Sequence, residues 1–162
     1  MGVLFGPAAW WQSNLIAACP EGTILPDGSA IICKAGGTAW IVAPRNTEVQ
    51  SQWAGGQYNS QIVGNKCCTS EWPGLESSAI SYGLNPDDWF VPSSSQLQNP
   101  GYVCKSKWDC FCTVGSNGYW SSQDDSTNAN RARYVRGSDG QLLCDVKSQS
   151  TYRVRLFRCV TY

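Results

Sequence analysis

Three short blocks, in fixed order across the second half of the chain, constrain its fold more than any other feature. Residues 87–97 read DDWFVPSSSQL, residues 118–122 read GYWSS, and residues 152–160 read YRVRLFRCV. In the first, Asp87 and Asp88 suit a turn. Trp89 to Val91 then make a short strand that Pro92 stops, and Ser93 to Ser95 cap a short helix running through Leu97. The second block is an aromatic strand ending in hydroxyls. The third is a strand dense in arginine whose alternation changes phase at Leu156 and Phe157, which predicts a β-bulge there.

The remaining punctuation is legible in the same terms. An apolar stretch with adjacent Trp10 and Trp11 predicts a helix over 7–18, with Pro7 in its first turn. Residues 19–28 read as turn, short strand, turn. The runs 29–33 and 38–43 flank KAGG and predict a hairpin. Residues 45–53 form a helical turn or a loop, and the Gly-, Asn- and Ser-rich stretch 54–70 reads as a long loop. Leu75, Ala79 and Tyr82 recur at helical spacing and Gly83 follows as a natural C′ residue, predicting a helix over 71–82. Strands are expected over 131–136 and 141–146 around a Gly137–Gly140 turn, and over 151–160. The sum is an α+β domain of short antiparallel strands, two short helices and long ordered loops. It is expected to span 21–162 behind an N-terminal segment over 1–20.

Composition narrows the function. Charged residues are only 15% of the 162, while eight Trp, seven Tyr and 16 Gly stand in their place; such a chain is globular and turn-rich, not disordered. The net charge is zero, so no global field favours nucleic acid. The charge is nevertheless divided. From Arg131 onward there are seven basic residues and two acids; before it there are five basic residues and ten acids. Those C-terminal arginines either pair with acids of the same or a neighbouring chain or meet an anionic ligand. There is no histidine, which removes the usual general base and the commonest metal ligand. No phosphate-binding Gly loop or Ser-centred elbow appears, so catalysis is not expected.

The nine cysteines are an odd number, so at least one thiol is free or pairs between chains. Residues 1–20 carry no Lys or Arg and make a poor export signal, and no apolar run is long enough to span a membrane. Many cysteines without an export signal suit a protein made in a reducing cytosol that later works outside, as a virus particle component does, or an intracellular protein with buried thiols. Among disulfides, Cys144 with Cys159 is expected first and Cys19 with Cys33 second. The cysteine spacings do not match zinc sites. The oxygen-rich loop containing Asp124, Asp125, Asn128 and Asn130 reads as a solvated loop ahead of a calcium site; no metal or cofactor is expected.

Taken in order, DGSAII, TAWIVAP, a Gly/Asn-rich stretch, a helix, NPDDWFVPSSSQL, GYWSS, a Gly-x-x-Gly turn and a terminal V-R-x-x-R-C-V resemble the C-terminal domain family of the Legionella collagen-like adhesin. Asp87, Asp88, Trp89, Pro92, Ser93 and Leu97 match its D-D-W-x-L-P-S and helix block. Tyr119 to Ser122 match Y-W-S-S, and Val154, Arg155 and Arg158 match its terminal strand in part. The resemblance covers about Gly22 to Tyr162. It departs where Asn99-Pro100-Gly101 shortens the helix and where Cys104, Cys110 and Cys112 are added. It implies a C-type-lectin-like fold. It also implies a bacteriophage virion protein, placed in a tail fibre, tail tip or capsid surface, that displays the domain to a host surface or polysaccharide. A connector binding only other virion proteins and a bacterial surface adhesin are the alternatives. On this reading Phe5, Trp10 and Trp11 dock to the particle, and exposed loop residues Trp53, Tyr58, Trp72, Trp108, Asp124, Asp125 and Asn128 contact ligand. The chain forms a homo-oligomer, partners other virion proteins, binds no nucleic acid and does not enter a membrane.

Overall fold

The computed structural model describes residues 8–112 and 117–162, with side chains from residue 13 onward. The first helix, α1 (Ala8–Ala18), is followed by a hairpin of β1 (Ala30–Ala35) and β2 (Thr38–Val42). Gly36 and Gly37 turn it with φ of 58° and 80°, the left-handed pair that a two-residue hairpin turn requires. A short β3 (Val49–Gln50) leads into the loop that precedes α2 (Pro73–Tyr82). This helix has Pro at its start, and Gly83 closes it at φ 95°, as its sequence demands. Leu75 and Ala79 are buried, whereas Tyr82, expected on the same face, is exposed.

The block around Trp89 forms less strand than its sequence suggests. Only Phe90 makes a β-bridge, to Cys68 and to Phe157. Ser93 does cap the short helix α3 (Ser94–Gln96), exchanging hydrogen bonds with Gln96 in a capping box. The helical path then breaks at Asn99, whose φ of −144° is extended. Next come β4 (Gly118–Asp124), β5 (Arg131–Arg136), β6 (Leu142–Val146), β7 (Arg153–Val154) and β8 (Phe157–Thr161).

Two sheets result. One is three-stranded, β1-β2-β8; the other is five-stranded, β3-β7-β4-β5-β6. The bulge expected at Leu156 and Phe157 is a larger event than a bulge: the terminal strand changes sheets. β7 pairs with β3 and β4 in one sheet, and β8 pairs with β2 in the other. The transfer is held by buried Arg155 and Leu156, since Arg155 Nε donates to Ala43 O at 2.9 Å and Ala43 N donates to Leu156 O. An arginine at a sheet-to-sheet crossover satisfies carbonyls that neither ladder reaches.

Among the described residues two apolar clusters fill the interior. One gathers Trp53, Trp72, Trp89 and Trp120 with Ile31, Ile41 and Leu156; the other gathers Trp108, Tyr119, Phe157 and Val42. Trp89, Trp120 and the 154–157 stretch are core, so the matched blocks serve folding. The last turn of α1 belongs to this interior as well. Ile16 is fully buried with Leu25 and Ala39. Lys34 Nζ donates to the carbonyls of Ile16 at 2.6 Å and Cys19 at 2.8 Å, placing a cation at the helix C-terminus where the dipole favours it. Phe5 and the side chains of Trp10 and Trp11 lie outside the described residues.

Candidate functional site

The ligand-contact residues expected from sequence divide sharply. Trp53, Trp72 and Trp108 are core, not surface: they are 0%, 1% and 7% exposed. Each indole N–H instead ties down a carbonyl of an irregular segment. Trp53 donates to Ser121 O at 2.9 Å, Trp72 to Lys66 O at 2.8 Å and Trp108 to Gly101 O at 3.0 Å. In a chain with so much loop, a residue that buries a large ring and supplies one directed donor does what ladders do elsewhere. Sequence composition signalled many tryptophans but not which way they point.

Asp124 is also buried, and its carboxylate is fully engaged. Val63 N donates to Oδ2 at 2.8 Å and Gly64 N to Oδ1 at 3.0 Å. The fully buried Lys147 ammonium donates to Oδ2 at 3.0 Å, to Tyr58 O at 3.1 Å and to Gln61 O. It also lies 4.8 Å from the Trp53 ring centroid. A protein cation thus sits among the oxygens of Tyr58, Gln61 and Asp124. A buried pair with these additional bonds resists losing either partner. Lys147 was not singled out in the sequence, because its partners lie 23 to 89 residues away.

Tyr58 is half-buried: its carbonyl belongs to this clamp and its ring lies under Lys66 at 4.9 Å. Asp125 and Asn128 are in the surface loop that follows β4, and both are occupied by local turns. Asp125 Oδ1 accepts from Thr127 N at 2.9 Å and Thr127 Oγ1 at 2.8 Å; Asn128 Oδ1 accepts from Asn130 N at 3.0 Å. The Thr127 bonds, with smaller help from Arg131 and Arg133, hold the Asp125 carboxyl below the usual carboxylate range. Among the described residues no group of three or more Cys, Asp or Glu is placed to hold a metal ion.

What the clamp does is shape a surface. By pinning 58–64 against Asp124 it lays 64–66 beside the end of β4. Asp124 N donates to Gly64 O, Lys66 N donates to Ser122 O, and Asn65 bridges Gln123. Between this segment and β5 lies a shallow groove of about 220 Å³, lined by Ile62, Gly64, Asn65, Gln123, Asp124, Ser126 and Arg133. Gln123 is oriented from behind: Ser94 N and Ser94 Oγ both donate to its Oε1. Of these residues, sequence reasoning named only Asp124, which forms the floor. The basic excess after Arg131 was the one signal pointing toward Arg133.

A second charged centre is structural. Glu48 receives Arg153 at 3.0 Å, Arg155 at 3.5 Å and the Tyr119 hydroxyl at 2.8 Å, while Cys112 N donates to that same hydroxyl. Burial, and then the Glu48 charge, push the Tyr119 phenol well up, which keeps it a donor.

All nine cysteines are free thiols. The Cys144–Cys159 pairing is corrected: Cys144 lies on β6 and Cys159 on β8, strands of different sheets. Cys33 is not joined to Cys19 either. Its thiol neighbours Cys104, which burial first and Cys33 second push up to about 11. Among the described residues no helix is long and apolar enough to cross a membrane. No protein-family model matches the chain, and no curated protein matches it.

Proposed function

We propose that the chain is a structural protein of a bacteriophage virion, in a tail fibre, tail tip or capsid surface, whose C-type-lectin-like domain binds host-surface polysaccharide. The α+β architecture of short antiparallel strands and long ordered loops supports the lectin-like reading. The observation that carries binding is the groove beside β4. One wall is a loop held by long-range bonds from Lys147 and Asp124 and by the indole of Trp72. A binding surface on loops fixed by a rigid scaffold needs little ordering when a ligand arrives. Single sites of this size bind weakly, so several copies on one particle would supply the avidity.

The test is glycan-array binding and adsorption to candidate host cells by purified protein. Binding in either assay supports the reading. Failure of both, together with tight binding to another particle protein, replaces it with a connector role.

A further inference from the structure

The C-terminal arginines were open to two readings, internal pairing or an anionic ligand, and their placement separates them. Arg136 is bidentate to Asp139, with a further bond to Gln141. Arg153 and Arg155 share Glu48, and Lys147 is paired with Asp124. Arg131 donates to Cys144 O, and Arg158 lies over the Trp89 ring. Arg133 differs from all of them. The residue is half-buried and lines the groove, and its guanidinium makes no hydrogen bond or ion pair to a described residue.

The rest of the groove is consistent with that opening. The Asp124 carboxylate on its floor is already neutralised by Lys147. Asp125, the carboxylate of the adjoining surface loop, is held by Thr127 and interacts with both Arg131 and Arg133, two cations to one anion. Asn65 and Ser126 are exposed, and neither side chain bonds to a described residue. Gln123, with its oxygen occupied by Ser94, has its amide NH₂ left to donate. Ile62, 54% exposed, supplies an apolar flank.

We infer that the groove binds one acidic sugar residue of a longer polysaccharide, with Arg133 taking its anion and Asn65, Gln123 and Ser126 its hydroxyls. The guanidinium matches a carboxylate or phosphate with two parallel N–H donors. At about 220 Å³, the groove is smaller than the ~300–1,000 Å³ pockets that enclose a drug-sized molecule. It therefore suits a single ring of a chain lying across the surface. This rests on the polysaccharide-binding reading and narrows it to a ligand class.

The experiment is calorimetric titration of the full chain with three probes: an oligogalacturonate, a phosphate-bearing glycan polymer and a neutral maltooligosaccharide. At least one acidic probe is expected to bind, weakening with added salt, and which one binds identifies the anion. The neutral probe is expected to bind at least tenfold more weakly. Arg133→Gln should weaken the acidic ligand tenfold or more, and Arg133→Lys should recover part of the loss. Ser126→Asp, at an exposed position, should abolish binding while thermal unfolding is unchanged. Equal binding of neutral and acidic probes, or unchanged affinity in Arg133→Gln, overturns the inference and leaves polysaccharide binding standing. No binding to these probes or to any glycan on the array overturns both.

Discussion

Two loops flank the groove, and they are held in opposite ways. The segment 57–66 is fixed by residues outside it. Tyr58 and Gln61 carbonyls bond to Lys147, Val63 and Gly64 amides to Asp124, and Lys66 O to Trp72. The segment 125–130 mainly holds itself, through turns at Asp125 and Asn128 and short backbone bonds to Arg131, and is tied outward at its end where Lys147 N donates to Asn130 O. The first loop has its shape only inside the folded domain. The second carries most of its shape in its own sequence. For a binding surface the consequence is a division of work: one wall is as stable as the core, and the other can vary without disturbing it.

The largest effect should come from breaking the long-range wall. Lys147→Met leaves the Asp124 carboxylate buried without its cation and the Gln61 carbonyl without a donor, while Tyr58 O keeps its bond from Gln61 N. It should cost about 3–5 kcal/mol in chemical denaturation; a cost below about 1 kcal/mol would show that Lys147 does not hold the loop. Trp72→Phe keeps most of the ring but removes the donor to Lys66 O. A loss of about 1–3 kcal/mol is expected, with faster amide exchange at 64–66 than at 125–130. Equal changes in both segments would contradict the separation.

The self-held loop should respond weakly and mainly to acid. The folded pKa of Asp125 is depressed, so its contribution is present above the ordinary value of about 3.9. It is lost as pH falls through the folded value. Thr127→Ala removes the hydroxyl donor and should move the Asp125 titration upward, toward that ordinary value, as followed by carboxyl-carbon NMR. An unmoved titration would assign the depression to the backbone amide of residue 127, which the substitution keeps, and to the arginines. Asn128→Ala, which deletes only the turn bond to Asn130 N, should change stability by no more than about 0.5 kcal/mol.

The same division explains what could be read from residues alone. The hairpin around Gly36-Gly37, the helix ending at Gly83, the Ser93 cap and the 131–136 and 142–146 strands were legible because each is decided within a few residues. The burial of Trp53, Trp72 and Trp108 was not, since an indole suits a core and a sugar-binding surface equally well until its neighbours are known. Asp124 looked like one of a row of solvated acids, and only Lys147 and the amides of Val63 and Gly64 make it a buried clamp. The groove was hidden for a related reason: its lining comes from three separate stretches, around Ile62, Gln123 and Arg133. The terminal strand misled because alternation reports which residues are buried, not which sheet buries them.

That terminal strand also fixes an order of events in time. The β1-β2 hairpin and the β4-β5-β6 meander connect near neighbours in sequence and can form as soon as their residues exist. β3 gains its strand partner, and the hairpin its third strand, only when 153–161 arrive. Because those nine residues enter both sheets, a chain still lacking them holds two unfinished halves with open edges. Completion of both sheets therefore waits on the same nine residues, and until they dock the open edges are exposed to wrong partners.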